Sequence, residues 1–392
     1  MKILFILQNF NTYQGVEKYT YNLVRHFIKE HEIHLLTTNY NCEIIPNLII
    51  HKKPLIKKPL WVRLLSNCYF NTKYARKIKK DYGIDIIVSG NGCSESLFCD
   101  IVVFHSCYKA TIKAANEILK MESSYLKYLL YKTRRWLLPQ NRVHLIIENG
   151  VLKRSKKIIT VSNAIREEIL LNYNIPKEKI SVIPIAVNPA EFKLNLQKRL
   201  EIRKKHNLDE KTILLLFAGY DFRRKGLKYI IKSLPLLVKD NIMLIVVGKD
   251  NPKPYVKLAK NLGVLNKIIF TGFVPEIKEY YSAADIFILD SYYEGSSAVI
   301  LEAMASGLIP VVSRINSNSE IIRDGFNGLL FKDVTNFREI GDKINFLLTN
   351  KTLIEQLRNN VLITAQRYSW ERTARKTLEV YEEVLKERKQ NG

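Results

Sequence analysis

The chain has 392 residues, 47% of them hydrophobic, with 16 glycines and 12 prolines, enough for two domains with separate cores. Five scattered cysteines, odd in number and without a C-x-x-C pair, argue against a disulfide framework, and no apolar run approaches the roughly 18 residues that span a bilayer. A formal charge of +24 suits an anionic membrane surface, a plainly solvated basic surface or nucleic acid, in that order.

The opening run Lys2 to Leu7 reads as a buried strand rather than a signal peptide, because Gln8, Asn9 and Asn11 interrupt its apolar character. A loop ending in Gly15 leads into a helix expected over Gly15 to Lys29. Strands follow at Ile33 to Thr37, Ile84 to Ser89, Asp100 to Phe104 and Lys157 to Val161. Short apolar runs alternating with helical stretches predict an α/β protein built on parallel sheet. Gly90-Asn-Gly92-Cys-Ser-Glu95 lacks the third glycine of a dinucleotide fingerprint, which weighs against a dehydrogenase. His105, flanked by Ser106 and Tyr108, falls at the carboxyl end of a strand. The segment Ile183 to Phe192, with two prolines and little periodicity, reads as a hinge.

Beyond the hinge, Lys211 to Gly219 reads as a buried strand and empties into Tyr220-Asp-Phe-Arg223-Arg224-Lys225-Gly226 before a helical pattern over Leu227 to Val238. Arginine forks onto phosphate oxygens, lysine adds a compact cation, and glycine lets the backbone approach closely, so this turn suits a diphosphate. Further on, the strand Asp285 to Asp290 opens into a loop holding Glu294 and then a helix holding Glu302, eight residues later. Two carboxylates so placed grip one ligand at two points, with phosphates on the free N–H groups of the helix start. A final helix is expected from Ser369, its N-cap, to about Lys386.

These motifs resemble the retaining glycosyltransferases of the fourth sequence family. The likeness rests on the E-x7-E pair Glu294 and Glu302, the turn Phe217-Ala-Gly219-Tyr-Asp-Phe-Arg-Arg-Lys225-Gly, and the strand wording Leu244 to Gly248, Ile268 to Phe273 and Ile309 to Ser313. The turn is worded like the lipopolysaccharide-core glucosyltransferase branch. The resemblance implies the GT-B fold, two Rossmann-like α/β domains facing a central cleft. Residues 1–187 with a returning helix 369–392 would bind the acceptor, and residues 188–368 the nucleotide sugar. It implies catalytic roles for His105, Arg224, Lys225 and Glu294. Donor contacts would come from Gly15, Gly219, Arg224, Lys225, Phe273 and Val274 near the base, Ser297, Ala298 and Val299 at the helix start, and Glu302 on the ribose. Two departures stand out: Gln14-Gly15 replaces the usual paired glycines, and Ser296-Ser297-Ala298 replaces an aromatic-glycine-aliphatic trio.

The implied activity is transfer of a hexose, with UDP-glucose as first choice of donor, to a glycan or lipid-linked acceptor of surface polysaccharide or lipopolysaccharide. UDP-galactose, UDP-N-acetylglucosamine and GDP-mannose stay open. No D-x-D triplet occurs, so no metal or other cofactor is expected. A nucleotide-sugar hydrolase or epimerase on the same fold is an alternative, and a basic nucleic-acid-binding protein is another. Residues 52–65 and 125–138 mix cations with Trp, Tyr and aliphatics and suit an anionic membrane surface, placing the protein at the cytoplasmic inner face.

Overall fold

A computed structural model describes residues 1–12, 15–92, 96–122, 128–131, 133 and 138–390. The chain divides into two compact units, Met1–Ile185 with Trp370–Gly392, and Ala186–Ser369.

The first unit contains β1 (Lys2–Ile6), β2 (Asn9–Asn11), α1 (Gly15–Phe27), β3 (Glu32–Thr37), β4 (Asn39–Asn41), β5 (Ile49–Lys52), α2 (Leu60–Tyr82), β6 (Ile86–Ser89), β7 (Ile101–Phe104), α3 (Tyr108–Glu122), α4 (Pro139–Arg154), β8 (Lys157–Thr160), α5 (Asn163–Asn172) and β9 (Ile180–Val182). Seven strands form a parallel sheet in the order β5-β3-β1-β6-β7-β8-β9. The aliphatic runs of β1, β3, β6, β7 and β8 are buried on both faces, as a parallel sheet under helices demands, while the edge strand β5 leaves Ile50 exposed. Helix α1 turns Tyr19, Thr20, Leu23, Val24 and Phe27 inward, at the spacing of one helical face.

The second unit contains α6 (Leu196–Lys205), β10 (Ile213–Ala218), α7 (Leu227–Ser233), β11 (Ile242–Val247), α8 (Lys253–Asn261), β12 (Ile268–Gly272), α9 (Ile277–Ala283), β13 (Ile286–Leu289), α10 (Ala298–Ala305), β14 (Ile309–Ser313), α11 (Asn316–Ile321), β15 (Leu329–Phe331), α12 (Phe337–Thr349) and α13 (Lys351–Gln366). Its six strands are parallel, in the order β12-β11-β10-β13-β14-β15. Read along the chain this is 3-2-1-4-5-6, the Rossmann order, and the direction of winding reverses between β10 and β13. All strand carboxyl ends share one edge, and the loops after β10 and β13 meet there.

The last helix, α14 (Trp370–Gln390), belongs to the first unit. Arg388 in its final turn donates to the Asp85 carbonyl at 2.7 Å and pairs with Asp100, while Thr373 donates to the Pro184 carbonyl at 3.0 Å.

Some expectations need correction. The helix expected to reach Val238 stops at Ser233, because Pro235 has no N–H to continue the ladder, and a 3-10 turn over Leu234–Leu236 finishes it. Within 52–65, Lys53 is not a surface cation: it is 5% exposed and donates to Asn67 on α2. Most of 125–138, with Tyr13, Gln14 and 93–95, lies outside the described residues.

Candidate active site

The site is built at the winding reversal of the second sheet. Strand β10 ends at Ala218, and Gly219 follows with φ of +151°. A Cβ here would fall 2.5 Å from Cδ and Cε of Lys225, so the absent side chain is the room through which the lysine stem passes. The turn folds back on itself as Asp250 accepts from the Phe222 N–H at 2.8 Å and Asp221 from that of Arg224 at 3.2 Å. Gly226, at φ of +66°, opens α7 and packs against the end of β13, where any Cβ would meet the Asp290 carbonyl at 2.1 Å. The loop after β10 is thereby pressed onto the loop after β13, and Tyr292 N–H donates to the Arg224 carbonyl at 2.9 Å.

Three donors converge on one oxygen. Glu294 Oε1 accepts from Lys225 Nζ at 2.7 Å, Arg224 Nη1 at 3.0 Å and Ser291 Oγ at 3.0 Å. The same Arg224 nitrogen donates to the Tyr293 carbonyl at 2.5 Å. Burial alone would raise the Glu294 pKa, but the charges of Lys225 and Arg224 outweigh it and hold the carboxyl below its ordinary range. Burial likewise works against the Arg224 guanidinium, yet Glu294 and Asp221 keep it above its usual value. Glu294 Oε2 accepts no hydrogen bond among the described residues. It is the carboxylate's open face.

Eight residues on, Glu302 is the one carboxylate in α10, whose residues Ile300 to Ala305 are buried. A buried carboxylate needs a donor. Tyr281 on α9 supplies it, with Oη 3.1 Å from Glu302 Oε2. Burial and then the Glu302 charge push the Tyr281 hydroxyl well above the usual tyrosine range, so it stays a donor. Ser297 stands at the N-cap of α10, Ala298 and Val299 form its first turn, and that turn holds no acidic residue. Phe273, 49% exposed, and Val274 follow β12 on the same edge of the sheet.

The two remaining candidates lie in the first unit. Gly15 is the first residue of α1, and His105 follows the last residue of β7. The His105 ring meets Tyr19 of α1 edge-on at 4.9 Å between centroids, and its Nε2 is buried without a hydrogen-bond partner. Burial pushes its pKa down to about 4, so the imidazole is neutral at physiological pH. Tyr19 in turn rests on Trp370 of α14.

Sequence reasoning did not find Ser313, Ser317 and Asn318, which hold the Glu294 loop and the helix start after it. Ser313 Oγ donates to the Ser291 carbonyl at 2.8 Å, Ser317 Oγ to the Glu294 carbonyl at 2.9 Å, and Ser297 Oγ to Asn318 Oδ1 at 2.9 Å. The only signal was compositional: a polar run, Ser313-Arg-Ile-Asn-Ser-Asn-Ser319, directly after a buried strand. Among the described residues, no three His, Cys, Asp or Glu side chains gather so as to hold a metal.

Comparison with known proteins bears on the fold. Residues 198–364 match the family Glycosyl transferases group 1, and residues 13–191 match Glycosyltransferase Family 4. An uncharacterized glycosyltransferase of Methanocaldococcus jannaschii is 32% identical over 58% of this chain and 60% of its own. The lipopolysaccharide glucosyltransferase WaaG of Escherichia coli is 27% identical over 51% and 55%. The match thus spans between half and two thirds of the length of these relatives. The crystal structure of WaaG superposes with a TM-score of 0.79 at 19% identity, covering 97% of this chain and 99% of that one. HepE of Anabaena, solved in complex with UDP-glucose, gives 0.73 at 16%, covering 98% and 100%. The two Rossmann-like domains are those of the GT-B fold.

Proposed function

We propose that this GT-B relative of the family 4 glycosyltransferases is itself a retaining hexosyltransferase, taking glucose from UDP-glucose to a glycan or lipid-linked acceptor of a surface polysaccharide or lipopolysaccharide. The carrying observation is the convergence of Lys225, Arg224 and Ser291 on Glu294 where the second sheet reverses its winding, beside an uncapped helix start. UDP-glucose is preferred because HepE was solved with it and WaaG is named a glucosyltransferase.

In this reading Arg224 and Lys225 stabilise the charge that builds on the departing nucleoside diphosphate, the task a metal performs elsewhere. The N–H groups at Ser297, Ala298 and Val299 hold phosphate oxygens, helped by the positive end of α10. Gly219 and Gly15 allow close backbone approach. Glu302, kept in place by Tyr281, accepts from the ribose, and the base lies against Phe273 and Val274. Glu294 Oε2 and the neutral His105 take hydroxyls of the transferred sugar. The bond from sugar C1 to the phosphate oxygen breaks as the acceptor oxygen bonds to C1 on the same face, and the acceptor proton passes to the leaving phosphate oxygen.

The acceptor side adds a membrane contact. On α2 the exposed Trp61, Leu65 and Tyr69 recur every four residues on one helical face, next to exposed Ile56, Leu60, Lys57 and Lys58. Lys57, Lys58, Pro59, Leu60 and Arg63 line an open depression of about 640 Å³. Apolar side chains among surface cations suit an anionic inner leaflet, each cation adding about 1 kcal/mol. No helix among the described residues is long and apolar enough to cross a membrane.

Calorimetric titration with UDP, GDP, ADP and NAD tests the donor site. UDP binding that Lys225→Ala and Glu302→Ala abolish supports it, and absence of binding to every nucleotide refutes it. Incubation with UDP-glucose then separates transfer from hydrolysis or epimerisation by product. Sedimentation with anionic liposomes at physiological salt tests the membrane contact, which fails if the protein stays in the supernatant.

A further inference from the structure

Ser297 has the position and side chain of a helix cap. A serine at the N-cap ordinarily accepts from the N–H two or three residues on, here Val299 or Ile300. Ser297 makes no such bond. Its hydroxyl donates instead to Asn318 Oδ1 at 2.9 Å, and Asn318 Nδ2 donates to the Ser313 carbonyl at 3.0 Å. Ser297 and Asn318 are 1% and 0% exposed, so water does not compete for either group.

The logic of donors and acceptors makes the chain one-directional. A carbonyl only accepts, so Ser313 fixes which end of the Asn318 amide faces it. The amide oxygen then faces Ser297 and only accepts, which commits the serine proton to that bond. With its Oγ turned toward Asn318, Ser297 gives α10 no side-chain cap; the Ile300 N–H donates to the Ser297 carbonyl at 3.0 Å, and the N–H groups of Ala298 and Val299 are left uncapped.

We propose that Asn318 is a positioning residue for the donor: by holding the Ser297 hydroxyl away from α10, it keeps the first-turn N–H of Val299, beside that of Ala298, open to the diphosphate. The same N–H serves either a cap or a ligand, not both, since short polar side chains compete locally for backbone donors. The inference rests on the donor site proposed above.

The test is a double-mutant cycle on UDP affinity by calorimetry, with melting temperatures read on every variant. Asn318→Ala frees Ser297 to cap the helix and weakens UDP binding about tenfold, a loss worth roughly 1.4 kcal/mol. Placed on a Ser297→Ala background, where no hydroxyl is left to cap, Asn318→Ala causes no further loss. Equal losses in both backgrounds, or affinity within about twofold of wild type for Asn318→Ala alone, overturns the proposal. If Asn318→Ala does not fold, Asn318→Ser, too short to reach Ser297, replaces it with the same expectations. Wild type that binds no UDP, or binds it regardless of Lys225→Ala, removes the donor site itself, and the inference falls for that separate reason.

Discussion

Lys225 Nζ lies 2.7 Å from Glu294 Oε1 across 69 residues of sequence, with the two side chains only 8% and 11% exposed. The pair ties the turn after β10 to the loop after β13, and Arg224 shares the same oxygen at 3.0 Å. Asp221 also pairs with Arg224, at 3.3 Å, so the two cations are held by two carboxylates, one of them buried and one on the exposed side of the turn.

Removing the lysine should harm catalysis more than folding. Lys225→Ala is expected to lower kcat about 10²-fold or more, the usual loss for a group that stabilises transition-state charge. Arg224 still neutralises Glu294, so the stability cost stays below the roughly 3–5 kcal/mol of a fully broken buried pair. Steady-state kinetics and urea unfolding of one preparation give both numbers, and a loss of stability with unchanged kcat contradicts the assignment.

The depressed Glu294 pKa makes a pH statement. The folded protein binds this proton less readily than the unfolded chain, so the ionised group adds stability above its unfolded pKa, about 4.3, and loses it as pH falls through the lower folded value. The stability gap between wild type and Glu294→Gln should be flat from about pH 5 to 7 and close below pH 4. Chemical unfolding across that range checks it. A gap that widens on acidification means that Glu294 is not held by its cations.

Much of the fold and part of the site are legible in the sequence. The strands are visible as aliphatic runs, and the Gly219, Arg224, Lys225 and Glu294, Glu302 patterns carry their own chemistry. What stays hidden is nonlocal. Lys225 reads as a phosphate ligand, and nothing in the spacing says that Glu294 holds it, because that contact depends on β10 lying next to β13. Lys53 looks like Lys52 in sequence, yet one is buried against Asn67 and the other is exposed. Asn318 sits in a polar run that reads as loop, and only the fold sets it under Ser297.

His105 gives a prediction of opposite chemistry but the same direction. Burial holds its folded pKa at about 4, while the unfolded imidazole titrates near 6.5. The unfolded chain therefore takes up the proton first, and stability falls as pH drops from about 6.5 toward 4, at most by about 1.4 kcal/mol per pH unit. NMR titration of the imidazole should show one histidine that stays neutral at pH 5. If His105 titrates near 6.5, it is hydrated, and its packing against Tyr19 is looser than described.

Stability and binding should separate at the opposite edge of the second sheet. Arg203 on α6 is 2% exposed and donates to the carbonyls of Ala283, Asp209 and Thr212 at 3.0, 2.8 and 2.9 Å, and to Asp285 Oδ2 at 2.8 Å. That carboxylate oxygen also accepts from the Leu214 N–H, at 2.9 Å, just before β13 begins. Arg203→Met takes a donor from the Thr212 carbonyl, leaves the Ala283 carbonyl to Arg199 and the Asp209 carbonyl to the Thr212 N–H, and leaves Asp285 with Arg199 as its only cation among the described residues. The expected cost is about 3–5 kcal/mol, and Arg203→Lys recovers little, since an ammonium cannot reproduce the planar fork. Because these groups lie at the amino ends of the strands, UDP affinity of the folded fraction should stay unchanged. Urea midpoints paired with calorimetry decide the matter, and parallel losses would mean that the α6 anchor transmits strain through β10 and β13 to the site.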